Sequence, residues 1–114
     1  MAKSWVEFIS ERETLLGSDA IARMARIFID DSKSQLATID AATSRRALAE
    51  ARRAAHDLAA NADSLCFHHL RLAAQDFENA CVAADRVDLS PLVAPLAPLV
   101  EMTVIQLRAR YNLK

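Results

Sequence analysis

At 114 residues the chain has room for one compact core and little else, so a single domain over 1–114 is expected. Apolar residues make up 53% with few aromatics, one glycine and three prolines, a profile that favours helices built on Ala and Leu and needs no sheet. A formal net charge of −1 gives no electrostatic basis for a nucleic-acid or membrane partner, and one glycine is too few for a nucleotide-binding glycine loop.

Five helical segments are expected in chain order. Residues 2–13 carry Trp5, Phe8 and Ile9 on one side, which predicts a short amphipathic helix, within 1–16, that caps a bundle. Gly17 is its natural stop. Ser18 and Asp19 then offer N-caps for a long helix through about Ile39, with Ile21, Ala25, Phe28, Ser32, Leu36 and Ile39 facing inward. Thr43 or Ser44 is expected to start the third helix. There Leu48, Ala51, Ala55, Leu58, Ala62 and Leu65 alternate at intervals of three and four, the seam of a bundle helix. After a turn at 64–66 the same alternation resumes at Phe67, Leu70, Ala74, Phe77, Cys81 and Ala84. Residues 85–88 break it. Ser90 before Pro91 reads as an N-cap with proline in the first turn, and Pro95 and Pro98 predict an irregular start before regular helix from about Pro98 to Tyr111. Short connections favour an all-α, antiparallel, up-down-up-down four-helix bundle over 18–112, with the N-terminal helix as its cap. Four helices close such a bundle alone, so a monomer is expected.

The apolar runs read as too short to span a bilayer and no signal-peptide pattern opens the chain, which makes a cytoplasmic location the expectation. Cys66 and Cys81 are too few for a secreted disulfide framework and read as reduced, Cys81 as a small core residue. Combining them with His68 or His69 matches no zinc spacing, and adjacent histidines on a helix point about 100° apart, so no metal site is expected. His68 and His69 are assigned to the start and surface of their helix, Trp5 and Phe8 to capping the core.

His56 stands apart. At about 100° per residue it projects roughly 130° from the centre of its helix's seam, into solvent. Arg53 and Ala60 share its side; Arg52, Ala59 and Asp63 lie on the shoulders between seam and solvent. An exposed imidazole on a rigid helix can accept and pass on a phosphoryl group, because a neutral ring nitrogen is nucleophilic near pH 7. The plainer alternative is an ordinary surface histidine.

The run from His56 through Leu58, Ala59, Ala60, Ala62 and Leu65 to Cys66, followed by Leu70, Phe77 and Glu78, resembles the histidine-containing phosphotransfer (HPt) domains. Their core helix reads roughly H-x-L-K-G-x-[SA]-x-x-[LF]-G, before a second helix ending in L-E. Phe28 to Asp31, an F-x-x-D, sits where the family's first bundle helix sits, and the likeness extends over 18–111. Three positions depart: the family's lysine is Ala59, the glycine after it Ala60, and the glycine at the helix end Cys66.

The resemblance implies a phosphoryl carrier with His56 as phosphoacceptor and no kinase activity of its own. Its partners would be response-regulator receiver domains and a hybrid histidine kinase. The carrier itself would need no cofactor, since the receiver would bring the acidic pocket and Mg²⁺. Glu78 falls where the family carries a Glu or Gln that orients the imidazole, and Gln75, one turn earlier, is placed to share that role. Arg53 and Arg52 are candidates for the cation lost with the lysine. Ala59, Ala60 and Asp63 are expected to form an open docking surface. A second reading keeps the bundle and the docking face without transfer, a non-phosphorylatable interaction module, on the strength of the missing lysine.

Overall fold

The computed structural model describes residues 3–83 and 88–113; Ala84 and the expected break at 85–87 lie outside them. The described residues form a helical bundle without strands: α1 (Trp5–Leu16), α2 (Ser18–Ser44), α3 (Leu48–Ser64), α4 (His68–Ala83), α5 (Ser90–Val93) and α6 (Leu96–Tyr111). The additional sixth segment arises because Ser90–Val93 forms its own turn ahead of α6.

The helix ends explain where the sequence reading shifts. Ser4 caps α1 by accepting from the Glu7 backbone N–H at 3.2 Å, so the helix starts at Trp5 and runs to Leu16 rather than Glu13. Gly17, at φ +87°, closes α1 and opens α2 directly; Ser18 and Asp19 are therefore inside α2, and neither caps it.

Helix α2 continues five residues past Ile39 because Ala42 still faces the core and is fully buried. Thr43 and Ser44 thus end α2 instead of starting α3, and the Ser44 hydroxyl donates back to the Asp40 carbonyl at 2.9 Å. The stop itself comes from Arg46 in the left-handed region, with Arg46 N–H donating to Thr43 O and Ala47 N–H to Ala42 O. Cys66 repeats this stop after α3 at φ +61°, with Phe67 N–H on Ala62 O, and Asn112 repeats it after α6. Ser90 does not cap α5 but begins it, with Leu89 at the N-cap position; the Ser90 N–H donates to the Asp88 carboxylate at 2.9 Å, which also holds that carboxyl below the usual range. Pro98 lies in the first turn of α6, where a missing N–H costs no bond, so the regular helix begins at Leu96.

One continuous core fills the bundle. Ala51, Ala55, Leu58, Ala62 and Leu65 of the α3 seam are buried, as are Phe67 in the turn before α4 and Leu70, Ala74, Phe77 and Cys81 of α4; Leu48 and Leu36 are only partly so. Trp5 packs on Phe67 and Phe67 on Phe28, each pair with ring centroids 5.3 Å apart, which docks α1 over the α3–α4 turn. His68 Nε2–H, donating to the Lys3 carbonyl at 2.9 Å, supports that junction, while His69 is exposed.

At its other end α1 is tied to α6. Arg110 Nε and the Tyr111 hydroxyl both donate to Glu13 Oε1, at 2.9 and 2.7 Å. These bonds hold the Glu13 carboxyl below its usual range, and burial together with the Glu13 bond pushes Tyr111 up to about 12.

Contrary to the expectation that every apolar run falls short, the helical stretch Ser90–Tyr111 is long and apolar enough by length and composition to cross a bilayer. Its three prolines sit at helix starts and so interrupt it less than their number suggests. In this fold Leu96, Val100, Thr103, Val104 and Leu107 face the core, and Met102 and Ile105 face outward.

Two outcomes follow from these terminations and ties. Cys66→Gly is expected to raise stability by about 0.5–1 kcal/mol in urea unfolding, because glycine enters the left-handed region without the Cβ penalty. The Tyr111 pKa in the folded state, about 12, lies above the ordinary 10.0. Its stability contribution is therefore complete below pH 10 and lost as pH rises toward 12. Tyr111→Phe should cost about 1 kcal/mol at neutral pH and flatten that alkaline limb in a pH series of unfolding midpoints.

Candidate functional site

The site grows out of the close approach of α3 and α4. Alanines at 51, 55 and 62 on α3 and at 74 on α4 are fully buried, and such small side chains let two helix backbones come near. Ala55 and Leu58 point into the core, so His56, next to Ala55, must point away; its side chain is 67% exposed. Phe77, fully buried, anchors α4 in the same way and sets the following residue, Glu78, at the rim of the helix pair, with its side chain 19% exposed.

His56 Nδ1 and Glu78 Oε2 meet at 2.9 Å. An ionised carboxylate can only accept, so the ring places its proton on Nδ1 and leaves the Nε2 lone pair directed away from Glu78. The tautomer is thus assigned from the chemistry of the partner.

On one side of the imidazole is a groove of about 420 Å³, bounded by His56, Asp63, Arg71, Gln75 and Glu78. On the other is a smaller hollow of about 340 Å³ beside Ala49, Arg52 and Arg53. His56 therefore stands on a ridge between two hollows, each with arginine in its wall. Both are open to a partner's surface.

The positions singled out from the sequence divide clearly. Arg52 and Arg53 are exposed beside His56, and neither is engaged in an ion pair with a described residue. Ala60 and Asp63 are exposed as expected. Ala59 is not: at 4% exposure it forms the floor of the groove rather than a docking surface, because α4 lies close enough to cover the shoulder of α3. Gln75 shares the groove but accepts a hydrogen bond from Arg71 Nη1 at 3.1 Å instead of reaching the imidazole.

Sequence reasoning missed Arg71. It falls four residues before Gln75 and seven before Glu78, on one stripe of α4, and that spacing was the available signal. Its guanidinium also pairs with Asp63, Nε to Oδ1 at 3.5 Å. Among the described residues no cluster of three His, Cys, Asp or Glu side chains is arranged to share a metal ion. Burial pushes the thiols of Cys66 and Cys81 above the usual thiol range, so both are poor nucleophiles at neutral pH.

The Hpt domain family matches residues 23–110, well over half of the chain and including His56, Glu78 and Arg71. The chain belongs to the Hpt domain family, the phosphocarrier modules of two-component signalling. No curated protein and no solved structure gives a significant match.

The pairing with Glu78 carries a measurable consequence. In long-range ¹H–¹⁵N spectra His56 of the native chain is expected to hold its proton on Nδ1. Glu78→Ala should shift the ring toward the Nε2–H form at unchanged helicity. An unaltered tautomer pattern in the variant would show that Glu78 does not set it.

Proposed function

We propose that the chain carries a phosphoryl group on His56 between receiver-domain aspartates of a two-component phosphorelay. The observation that carries this reading is the pairing of an exposed imidazole with Glu78, which leaves Nε2 as an accessible nucleophile. In the forward step the Nε2 lone pair attacks the phosphorus of a receiver's aspartyl phosphate. The Nε2–P bond forms, the P–O bond breaks, and the aspartate leaves as carboxylate. The Nδ1 proton stays in place, so positive charge develops on the ring, and the Glu78 carboxylate beside it stabilises that charge.

The reverse sequence hands the group to a second receiver. Alignment and charge neutralisation account for most of the rate in such transfers, and the receiver supplies the acidic pocket and Mg²⁺. A hybrid histidine kinase upstream, a cytoplasmic setting and a monomeric carrier belong to the same reading. So does the antiparallel up-down-up-down order of α2, α3, α4 and α6, which is supported by the short connections and by the paired contacts His56–Glu78 and Asp63–Arg71.

The test is to mix the purified protein with phosphorylated receiver domains and follow label. An acid-labile, base-stable phosphate on the native chain, absent from His56→Gln at unchanged thermal stability, is the expected result. A His56→Gln variant that still takes up label rules out His56. Binding without transfer across a broad receiver panel would make the chain a docking module instead.

A further inference from the structure

We infer that Arg71, reaching across from α4, supplies the cation that neutralises the phosphoryl group on His56, in place of a lysine on α3. The inference rests on the phosphorelay reading and concerns how the same site holds its charge. Position 59, one turn after His56, is where a cation from α3 would rise. Here it is an alanine buried on the groove floor, and Arg71 and Gln75 of the facing helix form the groove wall beside it.

The register of the two helices makes the reach possible. His56 faces Glu78 and Asp63 faces Arg71, so Arg71 starts about two turns, ~10 Å along α3, from the imidazole. Its side chain does not stay there: Nη1 bonds Gln75, one turn closer to Glu78 and His56. The guanidinium thus lies partway along the groove that His56 bounds.

Its present contacts are exchangeable. The ion pair to Asp63 is long at 3.5 Å, and Asp63 is largely solvated, with its side chain 67% exposed. Arg71 Nε is shielded from water yet donates no well-formed hydrogen bond. A doubly charged phosphoryl group offers more charge and more acceptor oxygens than one solvated carboxylate, so it takes the guanidinium from Asp63 when it forms. Gln75 then keeps the arm directed along the groove. Arg52 and Arg53 border the opposite hollow, outside this wall.

The experiment uses phosphoramidate as a small-molecule donor, which removes partner docking from the measurement. The donor's P–N bond breaks, ammonia leaves, and the Nε2–P bond forms, followed by separation of phosphorylated from free protein. Arg71→Gln is expected to slow phosphorylation about fivefold and to weaken its dependence on ionic strength, while Arg71→Lys retains most of the native rate. The double variant Arg71→Gln/Ala59→Lys should recover rate, since the lysine returns a cation to the vacated groove.

Thermal melts on each variant separate charge from folding, and the salt dependence is a readout that mere loss of packing would not move. A native chain that takes no phosphate overturns both this inference and the phosphorelay reading. A native chain that is phosphorylated, with Arg71→Gln equally fast, overturns this inference alone. So does a loss of rate that appears in Arg53→Gln, run alongside, and not in Arg71→Gln.

Discussion

The close, alanine-lined contact between α3 and α4 is the constraint on which the site depends. Buried alanines at 51, 55, 62 and 74 leave Leu58, Leu70 and Phe77 to fill the space between the helices, and that mixture of small and large side chains sets both spacing and register. Once the register is set, the Glu78 carboxylate meets the His56 ring across the rim. A shift of a single turn would separate the carboxylate from the ring by about 5 Å and free the imidazole to take either tautomer.

The same contact distributes charge along the rim. Arg71, Gln75 and Glu78 follow one another on α4 at helical spacing, opposite Asp63, Ala59 and His56 on α3. Basic and acidic groups alternate across the groove, and the imidazole sits at the carboxylate end. Among the described residues the core carries no charged side chain, so the polar chemistry there is confined to the solvated edge, where desolvation is cheapest.

The outer helices serve the pair at a distance. Trp5 of α1 covers the turn between α3 and α4 through Phe67, and the Glu13–Arg110–Tyr111 cluster ties α1 to the end of α6. The stretch Ser90–Tyr111, α5 with α6, is apolar on more than its inward face, which is why it is long and apolar enough to cross a bilayer while five residues of α6 lie in the core. Composition cannot separate these cases; only the contacts made by Leu96, Val100 and Leu107 do.

Much of this was legible along the chain because helical periodicity is a local property. The seams of α3 and α4, the outward projection of His56 and the stop at Gly17 follow from the identity and spacing of nearby residues. Helix ends were less legible: Arg46 and Cys66 adopt left-handed stops that no glycine announces, and they do so where the chain must turn to bring the next seam inward. The distance from His56 to Glu78, the burial of Ala59 and the presence of Arg71 in the groove were decided only by tertiary structure. Each depends on how near α3 and α4 approach and in what register, and that is set by the summed volumes of side chains far apart in sequence.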